Sequence, residues 1–150
     1  MIKIRNMSGE IIYTSESATT IREAVEQAVK SNISLAWAEL EGADLTLAEL
    51  MGANFEGANL EGADLTLAEL MGANFRGANF RGAILRGAEL MGANFRGANM
   101  RWSRLDEANL TGCDLTGANL TRANLTGAIL YRAILTGAIL GDADFTAAKI

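Results

Sequence analysis

The chain has 150 residues, a formal net charge of −5 and 49% apolar residues, but only 6% of its residues are aromatic. This length suits one domain, and its core has to be built from alanine and leucine instead of large rings. There is no histidine, which excludes Ser–His and Cys–His nucleophile pairs. The glycines also lack the spacing of a phosphate-binding or dinucleotide-binding loop. We therefore expect no enzyme, no cofactor and no metal site.

A single cysteine, Cys113, excludes an internal disulfide and favours a reducing compartment. The N-terminal residues 1–5 contain no apolar leader, so no secretory signal is expected. The longest apolar stretch, residues 128–140, is interrupted by Arg132 and several glycines and is too short to span a bilayer. A cytoplasmic protein without membrane association is predicted.

A large apolar residue recurs at every fifth position from Leu35 to Ile150, giving 24 such centres without a break in frame. Two residues before each centre stands a small residue, almost always alanine, with Ile33, Ser103 and Cys113 as exceptions. Glycine is common two residues after the centre. A period of five fits neither a helix nor a plain strand and indicates a chain that turns a corner every five residues.

A second period sets the number of corners in a coil. Residues 45–64 and 65–84 are identical at 16 of 20 positions, so four pentapeptides form one square coil. The centres then make about six coils, stacked at ~4.8 Å into a rod roughly 29 Å long. Centres such as Phe55, Phe75 and Phe95 are predicted to stack inside, and glycine at the third turn position supplies a positive φ. A different turn type is expected where that position is not glycine: Trp37, Leu47, Leu67, Trp102, Glu107, Arg122 and Arg132.

Residues 1–34 lack the repeat and are predicted to form a separate cap before the solenoid at 35–150. Residues 2–4 and 11–14 flank a Gly9 turn and read as a β-hairpin. Thr20 and Glu23 form a capping box before an amphipathic helix of about 11 residues. The cap should cover the open edge of the first coil, with Trp37 packed under the helix.

The repeats over residues 35–150, with their Ala-(Asp/Asn/Glu)-Leu-x-Gly consensus, closely resemble the pentapeptide-repeat family. This resemblance implies an all-β solenoid, a right-handed quadrilateral β-helix, and no catalytic motif. The best understood relatives, the quinolone-resistance and gyrase-inhibitor proteins, bind DNA gyrase and topoisomerase IV by mimicking the shape and charge of duplex DNA. The near-identical 20-residue units also indicate recent duplication or a designed repeat.

One candidate partner surface is defined by residues spaced 20 apart. Three glutamates are expected to stack on one face, with three methionines at one outward column and Trp102 at an irregular corner: Glu49, Glu69, Glu89, Met51, Met71, Met91 and Trp102. The glutamates either imitate DNA phosphates or form a solvated acidic face. Trp102 is either a recognition residue or part of a bulged corner with its ring folded over its neighbours.

The charge along the repeats argues against simple DNA mimicry. Residues 35–70 carry eight acids and no base, whereas residues 71–104 carry six arginines and one glutamate. Ion pairs are expected between Glu56 and Arg76 and between Glu61 and Arg81, one coil apart. Direct nucleic-acid binding is not expected, because the net charge is negative and no aromatic residues interleave the arginines.

The last coils carry an outward apolar set, where three isoleucines replace the usual Asp or Asn and a tyrosine joins them: Ile129, Tyr131, Ile134 and Ile139. An apolar set beside an uncovered strand edge is a pairing surface, so a homodimer joined by the C-terminal ends is expected. The sequence predicts a non-enzymatic protein-interaction or scaffold module. The alternatives are a DNA mimic that targets a type II topoisomerase and a designed or purely structural repeat whose only activity is assembly.

Overall fold

The computed structural model describes all residues from 1 to 150. It begins with an antiparallel hairpin of two strands, β1 (Ile2–Arg5) and β2 (Ile11–Ser15). Within the turn, the Asn6 side-chain oxygen accepts hydrogen bonds from the backbone N–H groups of Ser8 and Glu10 at 3.0 and 2.9 Å. The hairpin lies where the sequence predicts it, and each observed strand is one residue longer than the predicted one.

One helix, α1 (Ile21–Lys30), follows the hairpin. Thr20 caps it by accepting a hydrogen bond from the Glu23 N–H at 3.2 Å, and Glu23 reaches back to the Thr19 N–H at 2.7 Å. The carboxylate thus satisfies the amide before the N-cap instead of the N-cap amide itself. With ten residues the helix is one residue shorter than expected.

The remaining chain winds into a solenoid whose parallel bridges join residues 20 apart, such as Glu49 with Glu69. We number its 20-residue segments from residue 33 as coils 1 to 6, and the four pentapeptides of each coil as faces 1 to 4. Each pentapeptide donates three backbone hydrogen bonds to the neighbouring coils. In one of them, Leu40 N–H donates to Asn59 of the next coil at 2.8 Å, and Asn59 N–H returns a bond to Ala38 at 2.8 Å.

Each corner is closed by a bond inside its own coil, as from Ala43 N–H to the Leu40 oxygen at 3.1 Å. Glycines at the third turn position have φ of 62–69°, and the seven other residues named above have φ of 57–62°. The prediction of a different turn type at those seven was wrong. Coil geometry imposes the left-handed conformation on whichever residue stands there, at a cost of roughly 1–2 kcal/mol without glycine.

Centre residues and the small residues before them fill the bore, as predicted. The Phe75 ring stacks on Phe55 and Phe95 at centroid distances of 5.4 and 5.0 Å, and Phe80 meets it edge-on at 4.9 Å. Ser103 takes an inward alanine position and satisfies its hydroxyl by donating to the Met100 oxygen at 2.7 Å. The core is one continuous column from the helix to coil 5.

Hairpin and helix both lie against coil 1. Glu39 N–H donates to the Arg5 oxygen at 2.8 Å, and the Arg22 guanidinium donates to the Thr46 oxygen at 2.8 Å. Trp37, however, is 57% exposed, and its indole lies over Gly57 of coil 2. The prediction that Trp37 packs under the helix was wrong, because its corner position points the ring along the outside of the rod.

The last coil has an open edge. The amides of Leu135, Leu140 and Phe145 have no backbone acceptor, whereas the matching amide of Leu130 donates to Lys149 at 2.6 Å. Leu140 and Ile150 are exposed, unlike the centres of the earlier coils. Separately, none of the helical structure is long and apolar enough to cross a membrane.

Candidate interaction surfaces

The outer surface changes chemistry along the rod, and the residue directly after each centre shows it best. This position carries three glutamates in coils 1 and 2, five arginines in coils 3 and 4 and five threonines in coils 5 and 6, beside a methionine column in coils 1 to 3. The members are Glu41, Glu56, Glu61, Arg76, Arg81, Arg86, Arg96, Arg101, Thr116, Thr121, Thr126, Thr136 and Thr146. Most of their N–H groups donate to the side-chain oxygen of the Asn or Asp two residues earlier, as Arg96 does to Asn94 at 3.0 Å. Arg86 and Thr136 have isoleucine at that place, and Glu41 donates to Glu39. The side chains therefore project outward in ordered columns.

Face 4 of coils 1 to 3 brings together most of the predicted partner surface. Glu49, Glu69 and Glu89 are bridged in parallel register along its middle. One edge carries Met51, Met71 and Met91. The other edge carries Leu47 and Leu67, which are 58% and 54% exposed. We call this set of eight residues the acidic-apolar face.

The glutamate ladder is only partly compensated within the chain. Lys30 lies 3.9 Å from Glu49, and Asn109 donates to Glu89 at 3.1 Å. No side chain donates to Glu69, which stands between two like charges. Because like charges directly opposite on neighbouring strands destabilise a sheet, a cation supplied from outside would relieve the ladder.

Face 2 lies on the opposite side of the coil and carries four of the six arginines of coils 3 and 4. Arg76 and Arg96 stand along one edge, and Arg81 and Arg101 along the other. Arg81 pairs with Glu61 at 3.1 Å, as expected. Arg96 pairs with Asp114 at 3.2 Å, whereas Arg76 and Arg101 have no acidic partner. The expected Glu56–Arg76 pair is absent, so that prediction was wrong.

Trp102 stands at the corner after face 2 in coil 4 and is 47% exposed. The ladder continues through it without a bulge, since its N–H donates to Thr121 at 3.1 Å and Arg104 N–H donates to Ala83 at 2.9 Å. The Arg122 guanidinium carbon lies 4.6 Å from the centre of the indole. An open hollow of about 410 Å³ borders the ring and is lined by Glu61, Gly62, Arg81, Gly82 and Trp102.

The C-terminal apolar residues do not form one flat patch. Ile134 lies on face 1 and Ile139 on face 2, and both are about half exposed, at 48% and 54%. Ile129 lies on face 4 and is half-buried, and Tyr131 is exposed at the corner between faces 4 and 1. The four residues therefore lie on three of the four faces at the end of the rod, next to its open edge.

Burial and local hydrogen bonds account for the shifted pKa values of the titratable groups. Burial raises the pKa of the Cys113 thiol to about 12, and its Sγ donates to the Leu90 oxygen at 2.9 Å. The Thr116 hydroxyl, donating to Asp114, holds the pKa of that carboxyl below its ordinary value. No three histidine, cysteine, aspartate or glutamate side chains are grouped so as to hold a metal ion.

Sequence reasoning missed two contacts between neighbouring coils. One is the stacking of Arg122 on Trp102, and the other is the charged group in which Arg86 and Arg104 both contact Asp106, at 3.2 and 3.4 Å. Trp102 with Arg122 and Arg86 with Asp106 are each 20 residues apart. The coil period would have found these two pairs if it had been applied to corner residues.

The pattern described above matches known proteins. A family model described as "Pentapeptide repeats" matches residues 31–66, 68–106, 103–142 and 113–150, with eight copies. No similar sequence was found among curated proteins.

Solved structures of similar fold come from several sources. A pentapeptide repeat protein from the Arabidopsis thaliana thylakoid lumen is 32% identical, with 66% of this chain and 69% of that chain covered and a TM-score of 0.65. Rfr23, a pentapeptide repeat protein from the cyanobacterium Cyanothece 51142, is 25% identical, with 83% and 96% covered and a TM-score of 0.56.

QnrB1, a plasmid-mediated fluoroquinolone resistance protein, is 25% identical, with 75% and 65% covered and a TM-score of 0.36. A TM-score this low does not bear on function. The 20-residue coil, the alanine and leucine columns and the family match agree with one another. The chain belongs to the pentapeptide-repeat family and has its right-handed quadrilateral β-helical fold.

Proposed function

We propose that the chain is a non-enzymatic protein-interaction module and that its acidic-apolar face is the docking surface. One observation carries the proposal: the Glu69 carboxylate stands uncompensated between two glutamates, and exposed apolar side chains border the ladder on both sides. A contiguous exposed apolar set on a soluble domain marks an interaction surface. A partner segment in which basic and apolar residues alternate would neutralise the ladder and cover both edges.

In this proposal residues 1–34 serve as the cap of the solenoid. Ala24, Val25 and Ala28 of α1 are buried against the core, which closes the bore above coil 1. The hairpin adds a backbone bond to coil 1 through Arg5 and Glu39. The cap thereby leaves the sides of the rod, and not its N-terminal end, free for a partner.

Site-specific photo-crosslinking in cells of the source organism tests the docking surface. A photoreactive amino acid at Met91, at the edge of face 4, should yield an adduct with another protein. The matched position is Arg76, which is exposed on another corner and has no ion pair. The Glu69→Lys change should remove the adduct at position 91. Equal adducts at both positions, or an adduct that survives Glu69→Lys, would contradict the proposal.

We further propose that two copies join by their C-terminal ends. The supporting observation is the combination of unbonded amides in the last coil with half-exposed Ile134 and Ile139 beside them. An unpaired strand edge flanked by apolar side chains pairs readily with a second edge. If assembly were the only activity, as in a purely structural or designed repeat, crosslinking at Met91 would give no adduct.

A second candidate function is inhibition of a type II topoisomerase by DNA mimicry. Its support is the first part of the repeats, where residues 35–70 carry eight acids and no base. The arginines of coils 3 and 4 interrupt that acidic surface and weigh against it. A supercoiling assay of DNA gyrase with added chain, with and without a quinolone, tests this function. Inhibition or drug protection at micromolar protein would support it, and no effect would exclude gyrase as the target.

A further inference from the structure

The corner between faces 2 and 3 contains a vacant space that no side chain of the protein fills. Its third-position residues are Gly42, Gly62 and Gly82 in coils 1 to 3, followed by Trp102 in coil 4. A Cβ atom built on Gly62 or Gly82 would meet nothing within 4 Å. Three bare corners thus lead up to an indole, which forms the wall of the 410 Å³ hollow.

The indole offers one of its faces to this space. Arg122, one coil farther toward the C-terminus, covers the other ring face at 4.6 Å. The uncovered ring face is therefore turned toward Gly82, one coil nearer the N-terminus. Trp102 is thus placed to stack on a planar group from outside.

The charges around the hollow determine which charge a ligand can carry next to its planar group. Arg81 and Glu61 line the hollow and pair with each other at 3.1 Å, and Arg122 on the covered ring face pairs with Asp142 at 3.6 Å. Arg101 precedes Trp102 in the chain and stands one coil beyond Arg81. Arg101 has no ion pair. A cationic planar group would meet these arginines and an indole that already binds one cation, so it is disfavoured. An anion beside the ring would instead gain charge-assisted hydrogen bonds.

We propose that the hollow beside Trp102 receives an aromatic side chain of a partner protein, with an adjacent aspartate or glutamate bound by Arg101. The inference rests on the proposed role as a protein-interaction module and adds a second, separate contact on the other side of the rod from face 4. Single-stranded nucleic acid would also offer a ring and an anion. Protein is favoured because one unpaired arginine suits one carboxylate, whereas Glu61 in the lining and Glu41 one coil away repel a continuous phosphate backbone.

The test uses the full chain and a labelled peptide of sequence Gly-Ser-Phe-Glu-Ser, with binding followed by fluorescence anisotropy. Replacing the peptide phenylalanine by alanine should weaken binding about two- to twelvefold, the range expected for one aromatic pair. Trp102→Ala should weaken binding of the phenylalanine peptide by a similar factor and leave binding of the alanine peptide unchanged. A Trp37→Phe background makes Trp102 the only indole, and its fluorescence should change on binding.

Arg101→Glu is the charge variant, because Arg101 has no ion pair to lose and the change should leave the fold intact. Its control is Arg76→Glu, because Arg76 is the other arginine of coils 3 and 4 without an ion pair and lies on the far edge of face 2. Binding should fall at least about fivefold for Arg101→Glu and far less for Arg76→Glu, since screening limits charge effects at a distance. Circular dichroism of each variant checks folding.

Equal binding of the phenylalanine and alanine peptides, or equal loss in both charge variants, would overturn the proposal. Tighter binding of oligo-dT than of the peptide would assign the hollow to nucleic acid instead. Concentration-dependent self-association that Trp102→Ala abolishes would assign it to a second copy. Crosslinking at Met91 reports only on a partner bound at face 4. The proposal for the Trp102 hollow can therefore fail while the proposed function stands.

Discussion

The indole of Trp37 lies against Gly57 of the next coil, so closely that a Cβ atom on Gly57 would come 2.5 Å from two of its ring atoms. Leu67 lies over Gly87 in the same way, at 2.8 Å. Corner side chains thus lean toward the C-terminal neighbour, and a glycine there receives them.

Gly57→Ala should therefore destabilise the fold more than Gly62→Ala. Both glycines have a φ of 64°, but a Cβ on Gly62 meets nothing within 4 Å. Both variants bear the same cost of placing alanine at a positive φ. At Gly57 the new methyl group also displaces the Trp37 indole, which adds about 1–3 kcal/mol. Urea unfolding of both variants measures the difference. In a Trp37→Ala background the two costs should become equal, and a difference that persists would refute the contact.

Phe75→Ala should lower the free energy of unfolding by about 3–5 kcal/mol. The ring contacts Phe55, Phe80 and Phe95 in the middle of the bore, where the coils on both sides prevent collapse of the cavity. Phe75→Leu is the control, because leucine fills the same position in coil 1, and it should cost much less. A loss below about 1 kcal/mol on Phe75→Ala would contradict the packing described for this column.

Stability should fall in acid because of three aspartates with lowered pKa, Asp44, Asp114 and Asp144. In each case the main cause is a hydroxyl bond from the threonine two residues later; Arg22 and Arg96 also lower the pKa of Asp44 and Asp114. A lowered folded-state pKa gives stability that is present above the unfolded-state value, about 3.9 for aspartate, and is lost as the pH falls through the folded value.

Chemical unfolding at a series of pH values should therefore show constant stability near neutrality and a decline below about pH 4. Asparagine is the matched control. Asn119 and Asn124 accept the same threonine bonds without titrating. A variant with Asp44, Asp114 and Asp144 all changed to Asn should lose part of the acid dependence, and an unchanged profile would show that other groups cause it.

Cys113 should be unreactive in the folded protein. It is fully buried, and burial raises its pKa to about 12, so almost no thiolate exists at neutral pH. Reaction with a thiol reagent should occur at the rate of unfolding and become fast in denaturant. Fast labelling of native protein at neutral pH would show that coil 5 opens far more readily than its hydrogen bonds indicate.

Ile134→Asp with Ile139→Asp should shift the proposed dimer to monomer while the solenoid stays folded. Both side chains point outward beside the open edge, so the added charges are solvated in the monomer and buried in the dimer. Sedimentation velocity measures the mass, and circular dichroism checks the fold. Thr136→Asp, on an exposed corner of the same coil, is a control for added charge. An unchanged mass in the double variant would exclude this interface.

The fold could be predicted from the sequence because each coil repeats the same constraint. Leucine, alanine and glycine recur in fixed places, and one residue of slip would turn Phe75 or Leu85 outward. The Trp37 position was mispredicted because its ring direction depends on the neighbouring coil and not on the nearby helix. Turn type was mispredicted because residue preference was weighed above the geometry that the ladder imposes on positions such as Glu107.

The candidate surfaces were only partly predictable. Residues in one column, such as Glu49, Glu69 and Glu89, follow directly from the 20-residue period. Pairing depends on side-chain reach as well, which explains why Arg81 met Glu61 whereas Arg76 did not meet Glu56. The Trp102 hollow is defined by absent side chains at Gly62 and Gly82, and applying the 20-residue period to the corner residues would have found these glycines before Trp102.

The one-to-one bonding of coils 20 residues apart also sets the steps in which this protein could change its length. Inserting or deleting one 20-residue unit would move the cap and Trp102 apart or together by ~4.8 Å and leave every face aligned. A unit of five residues would instead rotate everything beyond it by a quarter turn. Adding a whole unit, such as the near-identical residues 45–64 and 65–84, would therefore change the spacing of the proposed surfaces without altering their relative orientation.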